Sequence, residues 1–115
     1  MVPSGVFAQI KTGQRVIEPR LNDEAHRKIR PGDLIVFTNR PTKEELITKV
    51  VGVLRYPSFM ELLQAYPPAH FGVEDERKIL AEMRRYYTAD QEITHGVLGI
   101  KLHLLRNAKG NQYGN

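Results

Sequence analysis

Leu46-Ile47-Thr48-Lys49-Val50-Val51-Gly52-Val53-Leu54-Arg55-Tyr56 is the stretch on which the fold turns. It is rich in β-branched side chains and holds no proline. Only Gly52 interrupts it, so it reads as a long strand with a bulge or a close backbone approach at the glycine. A second such strand closes the chain over Gly96–Leu105, where Leu98, Ile100, Leu102 and Leu104 alternate onto one face. Two helical patterns separate these strands, so strands and helices do not alternate one to one and a doubly wound parallel sheet is disfavoured. The expected class is α+β: a mixed or antiparallel β-barrel of about five strands with helices plugging its ends.

Working outward, Ser58 and Glu61 form an S-x-x-E capping box, which starts a helix over Phe59–Tyr66 with Phe59, Leu62 and Leu63 inward; Pro67-Pro68 stops it. Glu74–Tyr87 reads as a second helix, with acids at its start and a stripe of Ile79, Leu80, Met83 and Tyr87. Upstream, Arg30-Pro31-Gly32-Asp33 is a turn, followed by a buried strand Leu34–Phe37 and a loop Asn39–Glu45. Leu21–Arg30 is polar, with one helical turn expected around Asp23–Lys28. Val16–Arg20 is a short strand with Val16 and Glu18 on one face and Ile17 on the other; Pro19, lacking an N–H, makes it an edge or ends it. Ser4–Thr12 suits a short helix capped by Ser4 and closed before Gly13. One domain is expected over residues 1–106, and the polar, Gly- and Asn-rich stretch 107–115 is expected to be a disordered tail.

The composition bounds the chemistry. The chain has 115 residues, 17 Lys plus Arg against 13 Asp plus Glu, and a formal net charge of +4. A small basic domain points to an anionic partner, most often nucleic acid. The excess lies mostly in the first third, where Lys11, Arg15, Arg20, Arg27, Lys28 and Arg30 face only Glu18, Asp23 and Glu24. There is no cysteine, which excludes disulfides, thiol catalysis and Cys-based zinc sites. His26, His70, His95 and His103 have no metal-ligand spacing, and no glycine-rich nucleotide loop is present, so neither a metal nor a cofactor is expected. No apolar run approaches the roughly 20 residues that span a bilayer, and no secretory signal is visible, so no membrane partner and a cytoplasmic location are expected.

The densest polar segment is Gly13-Gln14-Arg15-Val16-Ile17-Glu18-Pro19-Arg20-Leu21-Asn22-Asp23-Glu24. Surface ion pairs on a solvated edge strand would explain its charges at little energetic gain. Four charges of both signs on and beside so short a strand fit a binding cleft better.

The same residues carry a family resemblance. Ile10 through Asp23, with Gly13, Glu18, Arg20, Leu21 and Asp23 at their places, resembles the opening block of the ASCH domain, a member of the PUA-like superfamily. Arg27-Lys28-Ile29-Arg30-Pro31-Gly32-Asp33-Leu34-Ile35-Val36-Phe37 resembles the next block, and Tyr56-Pro57-Ser58-Phe59-Met60-Glu61-Leu62 the strand-to-helix block. Tyr86-Tyr87 and His95-Gly96-Val97-Leu98-Gly99-Ile100 also fit. The resemblance implies a PUA-like barrel with a cleft beside it, faced by Arg15, Glu18 and Arg20. It also implies RNA binding, the role generally proposed for such domains. Some relatives hydrolyse the amide of N-acetylcytidine with a Lys, a Thr and a Glu. Here Arg15 and Glu18 stand where that Lys and Thr would be, and the Glu would fall near Glu74. A guanidinium stays protonated and serves neither as base nor as amine nucleophile. Relatives also commonly begin with a strand before the first helix. Met1–Ser4 is too short for one, which implies either a gap in the barrel or an N-terminal truncation.

The expected function is therefore that of an RNA- or nucleotide-binding module. Lys11, Arg15, Arg20, Arg27 and Lys28 would neutralise phosphate, Glu18 and Asn22 would read base or sugar, and Asp23 would sit at the rim. Tyr56, Phe59 and Tyr87 are candidate stacking surfaces, although core packing is the favoured reading for the aromatics. One alternative is a small amidohydrolase or nuclease in which Glu18 or Glu74 activates water; another is a protein-interaction domain with a vestigial cleft.

Overall fold

A computed structural model describes residues 1–108. Helix α1 (Ser4–Lys11) precedes strand β1 (Ile17–Leu21), β2 (Leu34–Thr38) and β3 (Glu45–Tyr56). Helix α2 (Phe59–Ala65), a 3-10 turn (Pro68–His70), α3 (Glu76–Tyr86) and α4 (Ala89–His95) then lead into β4 (Val97–Ala108). The strands form one antiparallel sheet in the order β1-β4-β3-β2, curled into a half-barrel, and the α+β class holds.

Long strands β3 and β4 pair along their lengths, from Glu45 opposite Ala108 to Tyr56 opposite Val97, with a register shift between Val50 and Gly52. Gly52 thus marks the bulge expected from its place in the run. Pro19 lies on the edge strand β1, opposite Gly99, where a missing N–H costs no ladder bond on the open side.

The sheet separates two apolar clusters. On the concave side, Phe7 and Ile10 of α1 pack against Phe37, Leu46, Val50, Leu98, Ile100 and Leu102, so α1 plugs the half-barrel. On the other side, Phe59, Leu62 and Leu63 of α2 and Ile79 and Met83 of α3 pack on Ile17 and Val97. Each large side chain buried in this way stabilises the fold by roughly 1.5–3 kcal/mol. Gly99 makes the second contact close: a Cβ there would lie 2.9 Å from Ile17 Cγ2 and 3.0 Å from Leu62 Cδ1.

The structure corrects the sequence reading in several places. Among the described residues the sheet has four strands rather than about five. At the position of the fifth, Val2 alone bridges Asn39 in parallel: its N–H donates to the Thr38 carbonyl at 2.9 Å, and the Arg40 N–H donates to the Val2 carbonyl at 3.1 Å. Strand β2 is an edge and not a buried strand: Leu34 is 61% and Val36 50% exposed on one face, while Phe37 on the other is buried in the core. Val16 precedes β1 and packs with Ile17's cluster instead of sharing a face with Glu18. Helix α4 was not anticipated; Thr88 and Gln91 form its capping box, and Gly96 ends it at φ 70°. Asn107 and Ala108, assigned to the tail, belong to β4, while the remainder of that assignment, 109–115, lies outside the described residues.

Candidate functional site

The alternation of β1 aims Glu18 and Arg20 to the same side, towards the concave face. Behind them the turn after α1 delivers Arg15, whose side chain is only 1% exposed. Its Nη1 donates to Glu18 Oε1 at 3.0 Å and to Glu82 Oε2 at 3.0 Å, and its Nη2 donates to Glu82 Oε1 at 3.0 Å. Its Nε donates to Gln9 Oε1 at 3.1 Å, and the Gln9 amide is fixed in turn by donating to the Gly72 carbonyl at 2.8 Å. Arg20 Nη2 donates to Glu18 Oε2 at 2.6 Å, and Arg20 also hydrogen-bonds the Tyr87 side chain. The result is a chain of alternating charge, Glu82–Arg15–Glu18–Arg20, running from α3 to β1.

Burial by itself would lower the pKa of both arginines. For Arg15 the Glu82 hydrogen bond and the charges of Glu18 and Glu82 outweigh it, and for Arg20 the charge of Glu18 and the contact with Tyr87 do so. Both pKa values end above their ordinary value, and both groups are permanent cations.

A cavity of about 260 Å³ opens over this chain of charges. Glu18, Pro19 and Arg20 form one wall, Glu82, Met83, Tyr86 and Tyr87 another, and Arg40 with Met1 to Pro3 closes it. Arg20 is 29% exposed, and Arg40 is exposed. The site thus offers two carboxylates, two cations, and the rings of Tyr86 and Tyr87.

The expected site residues separate. Glu18 and Arg20 line the cavity, and the pairing of Glu18 with an arginine is present twice over. Arg15 lies behind the wall with each guanidinium nitrogen engaged by protein, so it positions two carboxylates and is not presented to a ligand. Asp23 is not at the rim: it accepts from His26 Nδ1 at 2.7 Å in the following turn. Lys11 pairs with Glu44 at 2.8 Å, and Arg27 and Lys28 are exposed on the turn after β1. Asn22 lines none of the cavities described here; its Oδ1 is buried without a hydrogen-bond partner among the described residues. Glu74 borders a different, open depression with Gln9 and Lys78 and does not join Glu18.

Glu82, Tyr86 and Arg40 were missed by the sequence reading. The signal for the first two was present: Glu82 and Tyr86 fall three and seven residues after the buried Ile79, on the stripe of α3 that faces the sheet. Phe59 is fully buried and stacks on Tyr87 at 5.9 Å, and Tyr56 meets Tyr66 edge-on, so these two serve packing. Among the described residues no group of three or more His, Cys, Asp or Glu could hold a metal, and no helix is long and apolar enough to cross a membrane.

The curled four-stranded antiparallel half-barrel with its four helices is a PUA-like fold. The ASCH domain family model matches residues 3–106, and the chain belongs to that family. It is similar to the crystal structure of hypothetical protein PH0355, with a TM-score of 0.79 and 31% identity over 90% of this chain and 94% of that one. It is also similar to the solution NMR structure of protein PF0455 from Pyrococcus furiosus, with a TM-score of 0.73 and 30% identity over 91% and 94% of the two chains. No curated protein matches the chain.

Proposed function

We propose that the chain binds RNA or a nucleotide, with a base seated between Tyr86, Tyr87 and the Glu18–Glu82 wall and phosphate held by Arg20 and Arg40. The observation that carries the reading is the composition of the one cavity that Glu18 and Arg20 share. Carboxylate oxygens accept from the amino and imino groups of bases, and tyrosine rings supply a stacking face. Guanidinium donors match phosphate oxygens in a bidentate fork. A volume of about 260 Å³ lies just below the usual range for ligand pockets, which suits a base or nucleoside and not a large cofactor.

Hydrolysis fits the site less well. Glu18 already accepts from a cation on each of its oxygens, the wiring of a positioning carboxylate and not of a free base, and Glu74 is elsewhere. Little or no turnover of N-acetylcytidine is expected.

The test is fluorescence anisotropy with labelled single-stranded RNA across a salt series. Arg20→Ala should weaken binding and lower the salt slope by about one. Tyr86→Ala should weaken it by about 1–3 kcal/mol with the slope unchanged. Binding that ignores both substitutions would overturn the reading, as would robust N-acetylcytidine hydrolysis lost in Glu18→Gln.

A further inference from the structure

A second cavity, of about 240 Å³, lies beside the first, between the open edges of β1 and β2. The two cavities share Met1, Val2 and Arg20, and Val2, hydrogen-bonded to the end of β2, is the partition between them. Arg20 therefore sits where the two spaces meet. Its guanidinium is held by Glu18 and Tyr87, and the side chain stays 29% exposed towards the junction. Ile29, Ile35, Val36, Phe37 and Ile100 supply the apolar part of the second cavity's lining, and polar atoms supply the rest. Its polar end is His26. Asp23 accepts from Nδ1 of that ring, which fixes the tautomer and leaves Nε2 free among the described residues to meet a polar edge.

We infer that the two cavities form one groove for two consecutive nucleotides of single-stranded RNA, with one base in each and the phosphate between them on Arg20. The inference rests on the nucleotide reading above and extends it from a single base to a dinucleotide step. The arrangement follows the chemistry of such a strand: two flat, largely apolar bases with hydrogen-bonding edges, joined by one anion. The apolar side chains of the second cavity cover base faces, His26 meets an edge, and Arg20, common to both spaces, lies at the junction.

Isothermal titration calorimetry at low salt tests this, using the four ribonucleoside 5′-monophosphates and the four corresponding 5′-phosphorylated homodinucleotides. At least one dinucleotide should bind ten-fold or more tighter than its mononucleotide. Val36→Trp fills the second cavity from a half-exposed strand position, and His26→Ala removes its polar end. Each should return the dinucleotide to within about three-fold of the mononucleotide and leave mononucleotide affinity unchanged, with circular dichroism confirming the fold. Amide shifts at Phe37 and Ile100 should respond to the dinucleotide and not to the mononucleotide. Mononucleotide binding without a dinucleotide gain, or a gain that survives both substitutions, would overturn the two-cavity groove and leave the nucleotide reading standing. Failure of every mononucleotide and dinucleotide to bind would overturn both.

Discussion

Replacing Arg15 by methionine keeps an unbranched, flexible stem, shorter by the guanidinium end, and removes the charge that joins Glu18 to Glu82. Breaking a buried ion pair costs about 3–5 kcal/mol, because the remaining charge is left without compensation. Two features of the site place Arg15→Met at the lower end. Glu18, with a side chain 4% exposed, keeps its bond to Arg20, and Glu82, 24% exposed, has room to turn towards water. A loss of about 3 kcal/mol is therefore expected, a large share of the 5–15 kcal/mol typical of a small domain. At about 4 °C per kcal/mol the melting temperature should fall by roughly 12 °C. Thermal and urea unfolding followed by circular dichroism measure both quantities. Glu82→Met removes the partner and relieves the orphaned carboxylate, so the double substitution should cost at least about 1 kcal/mol less than the sum of the singles. A loss below about 1 kcal/mol for Arg15→Met, or additive singles, would refute the account of Arg15 as the organiser of the site.

Gly99→Ala should destabilise by about 1–3 kcal/mol in the same assay, since its methyl would meet Ile17 and Leu62 and push α2 off the sheet. Glu92 is 6% exposed; its Oε2 accepts from the Phe59 N–H at 2.6 Å, at the start of α2, and its Oε1 accepts from Arg84 at 2.6 Å. Glu92→Ala should cost roughly 2–3 kcal/mol, and hydrogen exchange should speed up at the first amides of α2 before those of the sheet. The hydrogen bonds from Arg77 hold the Asp75 carboxyl down to about 2, below its ordinary 3.8. Its folded pKa is depressed, so its stabilising effect is complete above about pH 4 and is lost as pH falls through about 2. An Asp75 carboxyl NMR titration with a midpoint at 3.8 would refute this, and Asp75→Asn should flatten the acid limb of the stability curve.

Much of the scaffold was legible because the signals were local. The β-branched run of β3 with its glycine, the alternation in β4, the Ser58 side chain accepting from the Glu61 N–H and the proline on β1 each act within a few residues of themselves, and each appears where it was read. Thr88 and Gln91 signal α4 by the same chemistry, a capping box that the sequence reading did not use. The depth of β2 differs from the sequence reading because an apolar run looks alike whether one face or both are covered; what packs on each face decides exposure, since β1 is an edge too and is mostly buried.

By itself the sequence determined the class of the fold, the family and the pairing of Glu18 with an arginine, since Arg20 lies two residues on along a strand whose alternation puts both on one face, and Arg15 lies only three residues before it. Tertiary structure alone decided what that pairing is for. It carried Glu82 to Arg15 across 67 positions, buried the guanidinium between them, and turned an expected phosphate ligand into a strut. It also moved Asp23 to His26, left Glu74 at another depression, and set Arg20 where two cavities meet. Local patterns record periodicity and capping, which depend on neighbours in the chain. Which charges share a low-dielectric space depends on how the helices cross the sheet, and no spacing in the sequence encodes that.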